Sequence, residues 1–351
     1  MDKKKSKSRK SKGDGWIKRH TLGLIIGVMA VVAAIGVVAG FALQSYGGDT
    51  TWVYIPEGAT DDAVADTLRS RLGSVEGNRV KMLWLMQGGS ASRAHGAYKV
   101  EHGQRSVVTA RRLAKGMQTP VRVAWNNVRT MGQLAERVTS KLECSPAEFI
   151  SACDAILPER GYRTSEFPAA FMPDTYEFYW TVSPKELVER LVEYRNRFWN
   201  EERRMAAERL GLSPIEVATV ASIVEEETAK HDEYGMIARL YLNRLKTKMP
   251  LQADPTVKFA SGDFSLRRIT GAHLKIESPY NTYRIKGLPP GPIRVASSKA
   301  IESVLSAPAH NYLYMCAKED FSGYHNFASD YPTHQSNARK YQAELNRRNI
   351  K

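Results

Sequence analysis

From Leu22 to Leu43 the chain runs for 22 residues without a charge, rich in Val, Ile, Ala and Gly. As a helix that stretch covers roughly 33 Å, enough to cross the hydrocarbon core of a bilayer. It divides the chain into a short head and a long remainder. The head, residues 1–20, holds nine Lys and Arg against two acids, so +7 of the formal +14 sits there. The next basic residue after the apolar stretch is Arg69. Because basic residues collect on the cytoplasmic side, the pattern predicts a basic cytoplasmic tail over 1–20 and a single transmembrane helix over 21–43 of the inner membrane. Everything from residue 44 onward is then extracytoplasmic (periplasmic). Trp16 and Tyr46 flank the segment at interfacial depth. A cleaved signal peptide shares the basic start, but its apolar part is usually about 7 to 15 residues, and no clean A-x-A site follows here.

Topology also accounts for a charge that would otherwise suggest nucleic acid. The 331 residues beyond the head carry only the other +7, a mild excess that suits an acidic polymer or a membrane surface and singles out neither. No nucleic-acid partner is expected. Cys144, Cys153 and Cys316 form no C-x-x-C pair and have no His at zinc-finger spacing, so no structural metal is expected. Cys144 and Cys153 could be bridged in an oxidising compartment or remain buried thiols.

Residues 44–51 read as a polar linker, and residues 52–145 as small strand and helix units. Trp52 to Ile55 predicts a strand and Asp61 to Leu72 an amphipathic helix with Val64, Leu68 and Leu72 on one stripe. AYKV followed by SVVTARRLAK repeats the unit, and VRVAW followed by MGQLAERVTSKL gives a weaker third copy. Such units are too short to bury a core alone and must pack together, as a carbohydrate-binding module or a spacer. Residues 146–351 read as a mostly helical α+β domain. Its aromatic stretch Phe167, Phe171, Tyr176, Phe178, Tyr179 and Trp180 suits either a sugar-binding cleft or a core.

One helix start is unusually well specified: Ser213-Pro214-Ile215-Glu216 combines an N-cap serine, a first-turn proline and a capping box. In the helix that follows, Val220, Ile223 and Val224 centre the apolar face. Glu227 falls within roughly 15° of that centre, whereas Glu225 and Glu226 project about 140° and 120° away. A carboxyl group continuing an apolar stripe loses hydration, its pKa rises, and it can donate a proton near neutral pH. A bland alternative is that the helix ends by residue 227, or that Glu227 pairs with an arginine as structural glue.

The segments ASIVEEET (221–228), YLNRL (241–245), LQADPTV (251–257), YNTY (280–283) and GLPPGPI (287–293), with the H-x-F-x6-H pattern of His325, Phe327 and His334, occur in an order and spacing that resemble the YceG-like family, the endolytic murein transglycosylases. The resemblance covers most of the chain from about residue 50, including MPDTY at 172–176, and the strand and helix units resemble divergent LysM-type modules. It implies a membrane-anchored lyase without a cofactor that cuts inside nascent peptidoglycan glycan strands between N-acetylmuramic acid and N-acetylglucosamine. The product end is a 1,6-anhydro sugar, and peptidoglycan synthases of the membrane are expected partners. The family's catalytic glutamate, directly before Thr, corresponds to Glu227. Carried over residue by residue, Gln252, Asp254 and Thr256 orient sugar or glutamate, or else cap a proline turn. Tyr280, Asn281, Thr282 and Tyr283 resemble cleft residues, and GLPPGPI shapes the backbone. His325 and His334 match family positions and suit hydrogen bonding better than metal binding. Where the family has a Glu-Gly turn before the third helix, this chain has Asn126-Asn127-Val128-Arg129, which puts a binding role for that module in doubt. Two other classes compete: a silent peptidoglycan-binding scaffold, and a two-carboxylate hydrolase with Asp254 as the second acid.

Overall fold

The computed structural model describes residues 13–348 other than Arg267. Most of the basic tail, residues 1–12, lies outside the described residues. Helix α1 (Gly13–Ala42) carries the apolar stretch, and its part from Leu22 to Ala42 is long and apolar enough to cross a membrane. The chain divides into two compact units between Pro120 and Val121.

In the first unit, β1 (Thr51–Ile55) leads into α2 (Asp61–Leu72), α3 (Ser74–Met86), the single turn α4 (Ala91–Ala94), β2 (Gly96–Val100) and α5 (Ser106–Ala114). Strands β1 and β2 pair antiparallel, from Thr51 opposite Val100 to Ile55 opposite Gly96. Alternation in β1 sends Val53 and Ile55 into the core, where they meet Val64, Leu68 and Leu72 of α2. The α2 stripe is thus the predicted one, and Thr60 caps the helix by accepting from Ala63 N. Helix α3 was not expected from the periodicity. It brings Val80, Leu83 and Trp84 to the same core. Its Gly77 explains both facts: a Cβ there would lie 2.6 Å from the Arg69 Cα, so the glycine that weakens the helical signal lets α3 lie close against α2. The expected repeat is corrected accordingly, because β2 returns to β1 and the first two strand and helix copies share one core, a β-α-α-β body with the turn α4 before its second strand and α5 packed after it.

The third copy belongs to the second unit. Here β3 (Val121–Ala124) is followed by α6 (Met131–Thr139), α7 (Pro146–Ile156) and β4 (Thr175–Phe178). Strand β3 pairs antiparallel with β4 from Val121 opposite Phe178 to Ala124 opposite Thr175, so the division falls before β3 and not at the expected 145/146. Phe167, Phe171, Tyr176 and Phe178 are buried core residues, while Tyr179 is exposed. Cys144 and Cys153 are free thiols, and burial pushes the Cys153 thiol up to about 12.

The remaining elements are α8 (Pro184–Phe198), α9 (Glu201–Arg209), α10 (Pro214–Glu227), α11 (Tyr234–Lys246), α12 (Asp254–Ser261), α13 (Ser298–Leu305), β5 (Tyr314–Ala317), β6 (His325–Ala328) and α14 (Tyr331–Arg347). Helix α10 starts as predicted: Ser213 Oγ accepts from Glu216 N at 3.2 Å, and Glu216 Oε2 accepts from Ser213 N at 2.7 Å. Val217, Val220, Ile223 and Val224 of α10 are fully buried in one cluster with Ile237, Leu240 and Tyr241 of α11 and Ile301 and Val304 of α13. At roughly 1.5 to 3 kcal/mol per buried aliphatic side chain, this packing sets the position of the last turn of α10. The irregular 278–297 segment is pinned to the same helix, since Ile293 N donates to the buried Ser222 Oγ at 3.0 Å. A Cβ on Gly291 would collide with the Ser165 carbonyl oxygen, which is the backbone constraint expected of GLPPGPI. Strands β5 and β6 form an antiparallel hairpin with Ala317 opposite His325.

Candidate active site

The three glutamates ending α10 have different partners. Glu226 receives two parallel hydrogen bonds from Arg129, Nε to Oε1 at 2.9 Å and Nη2 to Oε2 at 2.8 Å, and a third from Arg294 Nη1 at 3.0 Å. Glu225 Oε2 accepts from Ser297 N at 3.0 Å and lies 3.4 Å from Arg294 Nε. Both carboxylates are largely covered by protein, with side chains 12% and 11% exposed. This corrects the helical-wheel expectation that they point away. The helix ends at Glu227, so the chain folding back over its last turn covers faces that an isolated helix would leave wet.

Glu227 itself has no Lys or Arg within ion-pair distance among the described residues. Its Oε2 accepts a hydrogen bond from Tyr241 Oη at 3.0 Å. Burial is the main influence on this carboxyl group and raises its pKa to about 7; the Tyr241 hydrogen bond opposes the shift, nearby Asp254 adds to it, and Arg244 works against it. The same surroundings hold the Tyr241 hydroxyl proton firmly on, through burial and the neighbouring carboxylate.

Glu227 opens on a cavity of about 230 Å³ whose walls include Tyr241, Arg244, Gln252, Asp254, Tyr283 and His325. A larger cavity of about 1050 Å³, with Arg129, Lys258, Arg268 and Tyr341 in its walls, adjoins it and shares both Glu227 and Asp254. The carboxyl group therefore stands at the junction of two spaces. Asp254 begins α12, and its Oδ1 accepts from Tyr283 Oη at 2.6 Å. Gln252 has a left-handed backbone, φ 50°, and its Oε1 accepts from Arg244 Nη1 at 3.2 Å. Arg244 is itself fixed by donating to Leu313 O at 2.6 Å and Leu251 O at 2.8 Å. A strained residue held on both sides at a pocket wall preorganises that wall.

Of the residues singled out from the sequence, Glu227, Gln252, Asp254, Tyr283 and His325 come together around the smaller cavity. The other five do not line it. Thr256 and Thr282 are buried and pair through their hydroxyls at 2.7 Å, and Gln252 N donates to Thr282 O at 3.1 Å, which ties the two loops together. Buried Asn281 donates to Leu274 O at 3.0 Å and Ile276 O at 2.8 Å and accepts from Tyr283 N at 3.1 Å. Tyr280 packs on Phe259 with ring centroids 4.8 Å apart, and His334 stacks on Tyr314 at 5.3 Å. These side chains hold the walls.

Sequence reasoning missed Tyr241 and Arg244. The signal was present: they lie three apart in YLNRL, hence on one helix face, yet only position in the fold shows that this face looks toward Glu227. It also missed Arg294 and Arg129, whose partners are 68 and 97 residues away. Asn127 adopts the left-handed conformation that Asn tolerates, φ 49°, and keeps the turn that presents Arg129.

Fold and site together define an α+β protein in which one helix ends at a half-buried carboxyl group, free of ion pairs among the described residues, facing a divided cleft. The YceG-like family matches residues 53–340, and the chain belongs to it. An endolytic murein transglycosylase of Bacillus subtilis is 36% identical over 166 residues, 46% of this chain and 43% of that protein. One of Streptococcus pneumoniae is 38% identical over 110 residues, 30% of this chain and 20% of that protein. The chain thus spans less than half the length of the curated relatives it matches. The crystal structure of a YceG-like protein from Listeria monocytogenes shares the fold, with a TM-score of 0.55, 22% identity, and coverage of 82% of this chain and 98% of that one.

Proposed function

We propose that this chain is an endolytic peptidoglycan lytic transglycosylase, a lyase of the cytoplasmic membrane in which Glu227 is the acid/base. The observation that carries the reading is the contrast at the end of α10: two glutamates are paired with arginines, and the third, half-buried with no ion pair among the described residues, is raised to about 7 at a cleft. A protonated carboxyl group is what a glycosidic leaving oxygen needs. Glu227 gives its proton to that oxygen as the bond to N-acetylmuramic acid breaks. The sugar's own C6 hydroxyl closes on the anomeric carbon in place of water, and its proton ends on the Glu227 carboxylate. Glu227 is thereby reset, and the product carries a 1,6-anhydro end. The two cavities meeting at Glu227 suit a cut inside a strand, with sugars on both sides.

The same reading has α1 anchor the protein once, with its N-terminus cytoplasmic and the catalytic unit outside, near peptidoglycan synthases. The β-α-α-β body is proposed as a LysM-like module. Mass spectrometry of digested, uncrosslinked glycan tests the chemistry: fragments should end about 18 Da lighter than hydrolysis would leave them. A second reading has a specific observation behind it, since Asp254 shares both cavities with Glu227 and could serve a hydrolase as second carboxylate. Predominantly reducing ends would favour it and sink the lyase. A protein with no activity on glycan, but with binding, would be a scaffold.

A further inference from the structure

Among the buried acids that the mechanism above does not use, one is held against a wall residue of the cavity. Glu233 is only 6% exposed, and both its oxygens are committed to a single residue: Oε1 accepts from His325 N at 2.8 Å, and Oε2 pairs with His325 Nδ1 at 2.9 Å. An ionised carboxylate only accepts, so the pair places the imidazole proton on Nδ1. Nε2 is then the basic nitrogen, and it has no protein partner among the described residues. His325 lines the cavity on which Glu227 opens. A wall residue meant only for shape would not need a buried carboxylate spent on fixing its tautomer.

We infer that His325, oriented by Glu233, is the group that first takes the proton of the attacking C6 hydroxyl; the inference rests on the proposed reading of Glu227. As the C1 to leaving-oxygen bond breaks, that oxygen keeps the bonding pair and takes the Glu227 proton. The C6 oxygen forms the new bond to C1, and its proton goes to Nε2. The imidazolium then returns a proton to the Glu227 carboxylate through solvent, so charge and protons balance over one turnover. Splitting the work removes a difficulty of a one-residue scheme, in which a single carboxyl group has to serve the leaving and attacking oxygens in turn.

The charged and titratable neighbours of His325 are few. Behind it stand Glu233 and, next in the chain, Tyr324, which donates to Asp232 Oδ2 at 2.9 Å and has Lys230 and Lys318 over its ring. Across the cavity are Glu227, Asp254 and Arg244. Tyr241 and Tyr283 keep their protons because burial raises both, and the Cys316 thiol is raised for the same reason.

The test is the pH profile of kcat/KM on defined glycan for the full-length protein and its His325→Gln, His325→Ala and Glu233→Gln variants. His325→Gln keeps hydrogen bonding without proton transfer, and is expected to lower kcat about 10²-fold with KM changed less than about threefold. It should also erase the acidic limb and leave the alkaline limb set by Glu227. Added imidazole should partly restore His325→Ala, and Glu233→Gln should move the acidic limb. Should the acidic limb persist in His325→Gln, or imidazole fail to restore a His325→Ala protein whose Tm is unchanged, His325 is a wall residue and the inference is overturned. An active Glu227→Gln would instead bring down the underlying reading, whatever His325 does.

Discussion

Glu226 and Glu227 are adjacent in sequence and lie in the same turn of α10, yet they occupy two different kinds of place. Around Glu226, the guanidinium groups of Arg129 and Arg294 supply three hydrogen bonds and cancel its charge. Around Glu227 there is a phenol, an apolar helix face and a cavity, with Arg244 and Asp254 in the cavity wall beyond ion-pair or hydrogen-bond contact with it. The first arrangement makes a carboxylate into a structural joint between α10, the 126–129 turn and the 294–297 segment. The second suits the proton donor proposed above. What separates them is the supply of partners from distant segments, since chain position and residue type are the same.

The largest expected effect tests the reactive side of that contrast. Glu227→Gln keeps shape and loses the transferable proton, so activity on glycan should fall by about 10² to 10⁴-fold with folding intact. Product formation by the purified variant, with circular dichroism as the folding control, measures it. Loss of activity in Glu225→Gln with Glu227→Gln still active would reverse the assignment.

The joint side should respond in stability instead. Arg294→Met removes the cation shared by Glu225 and Glu226 and leaves two mostly covered carboxylates short of a partner, an effect of about 3 kcal/mol or more on unfolding. Urea unfolding at pH 7.5 reports it. A variant as stable as the parent would mean that the pair is not a joint.

Somewhat smaller, and opposite in sign, is the effect of Glu227→Gln on stability. The folded carboxyl group titrates at about 7 against an ordinary 4.5. Its raised value favours the native state below pH 4.5, and that contribution is lost as pH rises toward 7. At pH 8 the parent carries a poorly hydrated charge that the amide lacks, so the variant should be more stable by about 3 kcal/mol, and the gain should vanish below pH 4.5. Thermal unfolding of both proteins across pH 4 to 8 checks the sign. A pH-independent difference would show that the Glu227 carboxyl group titrates alike in the folded and unfolded chain.

The smallest effect is expected of Tyr241→Phe. Its hydroxyl donates to Glu227 and favours the charged form, so removal should carry the alkaline limb of the pH profile upward by less than about one unit. A downward shift would mean that the phenol binds the protonated acid.

Much of this was legible along the chain because the signals were local. The uncharged stretch, the α2 stripe and the capping box at Ser213 each depend on residues within a few turns of one another, and periodicity or a cap suffices to find them. Where local signals misled, a long-range pairing was responsible. Strand β2 looks like the start of a repeat until its hydrogen bonds to β1 are known, and β3 looks like a member of the first unit until β4 comes back to pair with it. Glu225 and Glu226 point away from the apolar stripe on a wheel, but a wheel does not contain Arg294.

The amino-acid sequence by itself determined the apolar segment, the helix that carries the acid, and which glutamate continues its buried face, because hydrophobic period and capping chemistry act between near neighbours. Only the tertiary structure decided that Tyr241, Asp254 and His325 share a cavity with that acid, that Thr256, Asn281, Thr282 and His334 serve the walls, and that Glu233 holds His325. Those outcomes depend on distances between segments tens of residues apart, which close-packing of the core sets and no local pattern encodes.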